Sequence, residues 1–311
     1  MLDSLSRAVF FRLAASPNVR QLASRYGMRA GGFARRFIAG ETLEEAIETA
    51  RELSARDLHC TLNYLGESVS SSAAARAAAD TYAGMMRTVR DAGLTAQVSV
   101  KLTQLGLAID QADCVTNLRQ VLDAAGEQTF VRIDMEQSTW VDPTLDLFER
   151  FWQEGYRNVR VVLQSYLYRT ERDLARINAL GAGVRLCKGA YREPKTVAYP
   201  IKAEVNASFI RLMRAMMRDG TRPAFATHDP RMIDATCAYA TERALPTRAV
   251  EFQMLYGVRR DLQATLRARG YRVRIYLPFG QQWFPYFMRR LGERPANVLF
   301  VVRSLFHERP H

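Results

Sequence analysis

The chain has 311 residues, 48% of them hydrophobic and 24% charged, which is enough for one large core or two smaller ones. Its formal charge is 44 − 32 = +12, a field that attracts phosphates, nucleic acid, anionic lipid or small anions. Lysine occurs only at Lys101, Lys188, Lys195 and Lys202 and the other basic residues are arginine, so the basicity reads as compositional drift and argues only weakly for nucleic acid. Cys60, Cys114, Cys187 and Cys237 lack CxxC spacing and the four histidines lack metal spacing, which argues against a disulfide framework and a zinc site. We read no secretory signal and no apolar run of membrane-spanning length, and expect a reducing cytoplasm with free, mostly buried thiols.

Apolar residues at helical spacing predict helices over 2–13, 19–37 and 43–58, and we assign 1–58 to an N-terminal helical arm. Thr42 is expected to cap the third helix, with Glu44 and Glu45 at its positive start. Eight β-rich segments follow, over 59–65, 95–101, 128–134, 158–164, 183–188, 223–227, 248–253 and 272–277. Helical patterns such as 73–92 and 199–219 separate them. Strand–helix alternation predicts a parallel sheet. Eight repeats without a glycine-rich phosphate loop after the first strand favour a (β/α)8 TIM-like barrel over a doubly wound sheet, occupying 59–311. The strand interiors are read as Val, Ile, Leu and Ala.

A barrel of this kind carries its reactive groups at the C-terminal ends of the strands. In chain order those ends hold Glu67; Lys101; Asp134, Met135 and Glu136; Gln164; Arg185, Lys188, Gly189, Ala190 and Tyr191; Thr227, His228 and Asp229; Gln253 and Leu255; and Tyr276. The helix after the last strand adds Tyr286, Arg289 and Arg290. Polar residues also mark ordinary loops, but here charges recur at the ends of apolar runs. Convergent cations at Lys101, Arg185, Lys188, Arg289 and Arg290 imply an anionic substrate, an anionic cofactor, or both. Gly189 and Ala190 would let a phosphate or a flat ring approach the backbone. No carboxylate pair suits glycoside hydrolysis and no Ser-His-Asp order stands out. The residues alone leave two other readings open: a phosphate- or nucleic-acid-binding protein using the basic 20–36 segment, and a barrel acting on an anionic sugar phosphate.

VSVKLTQLG (98–106), RIDME (132–136), RLCKGAYREP (185–194), ATHDP (226–230), EFQMLYG (251–257) and RIYLPFG…YFMRRLGERPANVLF (274–300) resemble proline dehydrogenases of the bacterial monofunctional kind. The resemblance extends to LNYLGE (62–67) and the N-terminal helices. It implies a distorted (β/α)8 barrel that holds FAD noncovalently. It implies oxidation of L-proline to Δ1-pyrroline-5-carboxylate, with hydride passing to flavin N5 and electrons to a membrane quinone. It further implies product transfer to a pyrroline-5-carboxylate dehydrogenase, no nucleic-acid partner, and a cytoplasmic protein peripheral at the inner face of the membrane.

By the same resemblance, Arg289 and Arg290 grip the proline carboxylate through planar forks, and Lys101 contacts it from the second strand. Tyr276 and Leu255 pack on the pyrrolidine ring. Asp134 orients Tyr276 or Lys101, and Arg185 sits at the flavin N5 edge. Met135, Gln164, Lys188, Gly189, Ala190, Thr227 and His228 line the FAD, with Lys188 at the pyrophosphate, and Glu67 pairs with Arg289 as a gate. Two positions depart from many relatives. Arg192 stands where a larger aromatic follows the tyrosine, and Asp229 stands where some carry asparagine.

Overall fold

In HCTLNY, QVSV, VRVVLQ, EFQML and RVRIYLPF, polar side chains fall on alternate positions. A strand sends such alternate residues to opposite faces of its sheet. The computed structural model describes residues 28, 32, 34–66, 68–127 and 129–293, the side chains of 289–293 excepted. In it these segments close into an eight-stranded parallel barrel, ordered as in the chain. The strands are β1 (His59–Tyr64), β2 (Gln97–Val100), β3 (Val131–Ile133), β4 (Val159–Gln164), β5 (Gly183–Cys187), β6 (Thr221–Ala226), β7 (Glu251–Leu255) and β8 (Arg272–Phe279). All eight predicted strands are present. Pro223 lacks an N–H for the ladder, and the β5–β6 register shifts beside it, between Gly183 and Arg185.

The pairing register sorts the two faces. Thr61 lies beside Gln97 and Tyr276, Ser99 beside Arg132, Arg132 beside Arg160, and Gln253 beside Arg274, so these side chains share the lumen. Leu62, Val98, Val131, Val161, Phe225, Phe252 and Ile275 occupy the alternate positions and are fully buried under the helices. The expectation that strand interiors are apolar is therefore corrected. The apolar half of each strand faces outward, because the surrounding helices need a dry surface to pack on. The inner half is largely polar and carries Arg132, Arg160, Arg185, Arg274, Asp134 and Glu251, all buried.

Among the described residues nine α-helices accompany the strands. Helix α1 (Leu43–Ser54) precedes β1. Helices α2 (Ser72–Asp91), α3 (Gln111–Ala125), α4 (Val141–Gln153), α5 (Thr170–Ala179), α6 (Lys202–Asp219), α7 (Pro230–Glu242) and α8 (Arg260–Ala268) follow β1 to β7 in turn, and α9 (Trp283–Glu293) follows β8. Their starts carry the expected chemistry. Thr42 accepts from the Glu45 N–H, Ser71 from Ala74, and Asp110 from Ala112 and Asp113. In α4, Val141, Leu145, Phe148 and Phe151 form a buried stripe at helical spacing. Each such side chain contributes roughly 1.5–3 kcal/mol on leaving water.

Ala46, Ile47, Ala50 and Leu53 of α1 join the same apolar core as the barrel strands. The predicted helix over 43–58 stops at Ser54, where Asp57 turns to φ +56° and Leu58 bonds back to Leu53. The predicted helix over 2–13 and most of that over 19–37 lie outside the described residues. Residues 34–37 form a turn, after which Ala39 N–H donates to Pro278 and Gly280 N–H to Gly40, binding this segment to the end of β8. No helix among the described residues is long and apolar enough to cross a membrane.

Candidate active site

Asp134 is the centre of the barrel mouth. It follows β3, and its backbone N–H bonds to Val100 of β2, which turns the carboxylate over the lumen. One oxygen, Oδ1, accepts from Arg185 Nη2 of β5 and from Ser99 Oγ of β2. The other, Oδ2, accepts from the Tyr276 hydroxyl of β8 at 2.7 Å and faces Lys101 Nζ at 3.8 Å. The Arg185 guanidinium also lies 5.5 Å from the centre of the Tyr276 ring. Closing the barrel thus joins four predicted site residues, Lys101, Asp134, Arg185 and Tyr276, that are far apart in the chain. Ser99 was missed as a site residue. The alternation in VSVK could have found it, since Ser99 lies two positions before Lys101 on the same face.

These contacts decide protonation. Burial alone would raise the Asp134 carboxyl, but the charges of Arg185 and Lys101 and the bonds from Ser99 and Tyr276 outweigh it and hold it below its ordinary value. Burial opposes the charge on Arg185, and Asp134 more than restores it. Burial, then the Asp134 charge, push the Tyr276 phenol well above its ordinary range, so its hydroxyl remains a donor. The mouth therefore holds a carboxylate, a guanidinium and a neutral phenol, with Lys101 beside them.

The neighbouring strand ends extend this surface. Leu255 is half-buried, and its backbone N–H donates to His228 Nε2 at 2.9 Å, so this imidazole nitrogen is bare of hydrogen. Thr227 is buried, and its hydroxyl accepts the Asp229 N–H at 3.1 Å. Met135 is buried, and its carbonyl accepts from the Gln164 amide at 3.4 Å. The Gln164 amide oxygen and Arg185 Nε are buried with no partner among the described residues. One unused acceptor and one unused donor at the mouth fit a flat heterocycle whose edge offers both kinds of group.

Lys188 is committed within the protein. Its ammonium donates to Asp229 at 2.7 Å and to Asn206 at 2.6 Å. Burial lowers its pKa despite that pairing, and Asp229, held against burial by Lys188, falls to about 2. Asp229 also caps α7 through the Arg231 N–H, so the aspartate at this position has a definite structural task. At Gly189, φ is +106° and the nearest flat ring is the protein's own: a Cβ there would lie 2.2 Å from Tyr166 Cδ1. Tyr166 in turn reaches Glu193, which accepts from the Ser138 N–H at 2.7 Å and ties the β5 and β3 loops together. Ala190 is exposed.

Lys101 also borders a cavity of about 520 Å³ between α2 and α9. Ala77 and Ala78 of α2, Pro285 and Tyr286 of α9, and Gln104 line it. Arg289 and Arg290 fall on α9, but their side chains lie outside the described residues, as does Glu67.

The model of the family described as proline dehydrogenase matches residues 46–303. The chain belongs to the proline dehydrogenase family. It is 38% identical over 302 residues to proline dehydrogenase 2 of Bacillus subtilis (strain 168), covering 97% of this chain and 99% of that one. It is 40% identical over 310 residues to the proline dehydrogenase of Deinococcus radiodurans, covering 98% and 99%. Among solved structures, proline utilization A (PutA) from Bdellovibrio bacteriovorus, inactivated by N-propargylglycine, superposes with a TM-score of 0.78 at 29% identity. That match covers 83% of this chain and 32% of the longer PutA chain. The proline dehydrogenase barrel and the polar mouth described above thus lie within the matched family region.

Proposed function

We propose that the chain oxidises L-proline to Δ1-pyrroline-5-carboxylate, the first step of proline catabolism, at the mouth around Asp134. The carrying observation is the charge there: two cations, Lys101 and Arg185, converge on the carboxylate of Asp134 at the mouth, an arrangement suited to an anionic group. The carboxylate of an amino acid suits those cations. Lys101 would take it together with Arg289 and Arg290 on α9, whose planar forks fix orientation as well as position. Tyr276 and Leu255 would wall the pyrrolidine ring, and Asp134 keeps Arg185, Lys101 and Tyr276 in register. Glu67 would gate the entrance against Arg289.

FAD is the proposed cofactor. The unpaired Gln164 oxygen and Arg185 Nε would meet its ring, while Met135, Thr227, His228, Gly189 and Ala190 would line it. Lys188, with one N–H beyond its two internal bonds, would approach the phosphates. The chemistry that bound FAD supplies is acceptance of a hydride at N5, with the electrons passed on to a membrane quinone. Arg185 is a fixed cation at the place where negative charge builds, which is preorganised stabilisation. A cytoplasmic protein peripheral to the inner membrane face would reach such a quinone, and a pyrroline-5-carboxylate dehydrogenase would take the product.

The test is an absorption spectrum of the purified protein with and without L-proline. A flavin spectrum that bleaches with proline supports the reading; a colourless protein inert to proline ends it. Arg289→Met and Arg290→Met should each raise the proline KM by about 10- to 150-fold, the worth of roughly 1.5–3 kcal/mol for a charged hydrogen bond. An unchanged KM in both removes the carboxylate role.

A further inference from the structure

Below the mouth the lumen carries a second run of polar side chains. Arg274 grips Glu251 twice, Nε to Oε1 at 2.9 Å and Nη2 to Oε2 at 3.1 Å, and gives Nη1 to the Cys60 carbonyl at 2.8 Å. Glu251 Oε1 also accepts from the Gln253 amide at 2.6 Å. The amide oxygen of Gln253 accepts from Arg185 Nη1 at 3.4 Å, and Arg185 gives Nη2 to Asp134. Arg274, Glu251, Gln253, Arg185 and Asp134 come from β8, β7, β5 and the end of β3, and none is more than 9% exposed.

The order of this run fixes its polarity. An amide has one donating end and one accepting end. The carboxylate of Glu251 only accepts and the guanidinium of Arg185 only donates, so a single orientation of Gln253 satisfies both. The flipped amide would set oxygen against carboxylate and NH2 against guanidinium. Burial would raise the Glu251 carboxyl, but Arg274 brings it down to about 2, so the orienting charge persists at any working pH. Such a satisfied network in a low-dielectric interior is stiff. Arg185 is consequently held at two nitrogens. With Asp134 alone, its guanidinium could swing about the one Nη2 contact.

We infer that Gln253, oriented by Glu251, is a positioning residue that sets the Arg185 guanidinium for the reaction at the mouth. The inference rests on the reading of Arg185 as the cation of a proline-oxidising site. Gln253 itself need touch neither substrate nor cofactor. Its effect is the aim of a group one hydrogen bond away along the network.

A double-mutant cycle with Gln253→Met, Arg185→Met and both together tests this. Methionine fills the volume of glutamine and makes neither bond. Gln253→Met should lower kcat for proline by about 10- to 100-fold with KM within about threefold, as expected for a misaimed group. It should shift the midpoint potential of the bound flavin in the same direction as Arg185→Met. Added to Arg185→Met, it should cost less than about a further twofold, since its partner is already gone. Gln253→Glu, protonated beside Glu251, repeats the donor and acceptor of the amide and should restore kcat to within about fivefold of wild type. Unchanged kcat and potential in Gln253→Met, equal factors in both backgrounds, or a Glu variant as slow as the Met variant would each overturn the inference. Should Gln253→Met fail to fold, Gln253→Leu, which likewise makes neither bond, takes its place in the cycle with the same expectations. If the wild type holds no flavin or leaves proline untouched, the reading of the site fails instead. The cycle is then read in thermal stability, where additive losses from the two substitutions overturn the positioning contact itself.

Discussion

Tyr276 on β8 donates its hydroxyl to Asp134 at the end of β3 at 2.7 Å, joining across the mouth two parts of the chain that are 142 residues apart. Tyr276→Phe removes this bond and keeps the ring. Asp134 retains Arg185 and Ser99, so the barrel should fold, with a loss of about 1.5–3 kcal/mol for one hydrogen bond to a charged group. Denaturant unfolding of the two proteins measures it. A variant as stable as wild type would mean that the bond contributes nothing in solution.

The pH dependence of stability follows from Glu251. Its pKa falls from an ordinary 4.5 to about 2 in the folded chain, so the unfolded chain takes up its proton first as pH drops. Its contribution is complete above about pH 4.5 and is lost progressively as pH falls toward 2. Asp134, also lowered, acts in the same sense. Glu251→Gln should melt at a lower temperature than wild type at neutral pH, because the buried Arg274 loses its counter-charge. It should also show a shallower fall in Tm between pH 4.5 and 3. Parallel Tm–pH curves would contradict the assignment.

Gly189→Ala should be damaging although it adds one methyl group. The backbone φ of +106° disfavours any side chain, and the Cβ would fall 2.2 Å from the Tyr166 ring. The ring must move, which loosens its reach to Glu193 and the tie to Ser138. Overpacking and strain of this kind cost about 1–3 kcal/mol. We expect that loss in thermal or denaturant unfolding, together with a lower flavin-to-protein ratio after dialysis. Wild-type stability and flavin content would show that the loop accommodates the methyl.

Asp229→Asn separates two tasks. Asparagine caps a helix as well as aspartate does, so α7 should persist. The ion pair with Lys188 is lost, and Lys188 is freed for an anion. If Lys188 meets the cofactor phosphates, flavin should bind about two- to fivefold more tightly, the scale of a partly exposed ion pair. Titration of the apoprotein with FAD measures this; weaker binding would mean that the Lys188–Asp229 pair, rather than the lysine charge, organises the site.

Much of this molecule follows from local sequence. Strand–helix alternation, the capping residues Thr42 and Asp110, and polar groups at the ends of apolar runs are encoded within a few residues, because period and capping depend on near neighbours. The sequence by itself determined the eight strands and the mouth-facing character of Lys101, Asp134, Arg185 and Tyr276. Even the polar lumen was written in R-V-R-I and E-F-Q-M, since alternate positions take opposite faces. Which of those faces points inward, and which side chains then meet, was decided only by closure of the barrel. Strands β2, β3, β5 and β8 must converge before Ser99, Arg185, Tyr276 and Lys101 can share one carboxylate. Likewise, only the three-dimensional fold sets Lys188 against Asp229, 41 positions away, and Gln253 between Glu251 and Arg185. Such partners are selected by distance across a shared, dry space, where a charge without a counter-group is costly, and no local pattern in the chain records that distance.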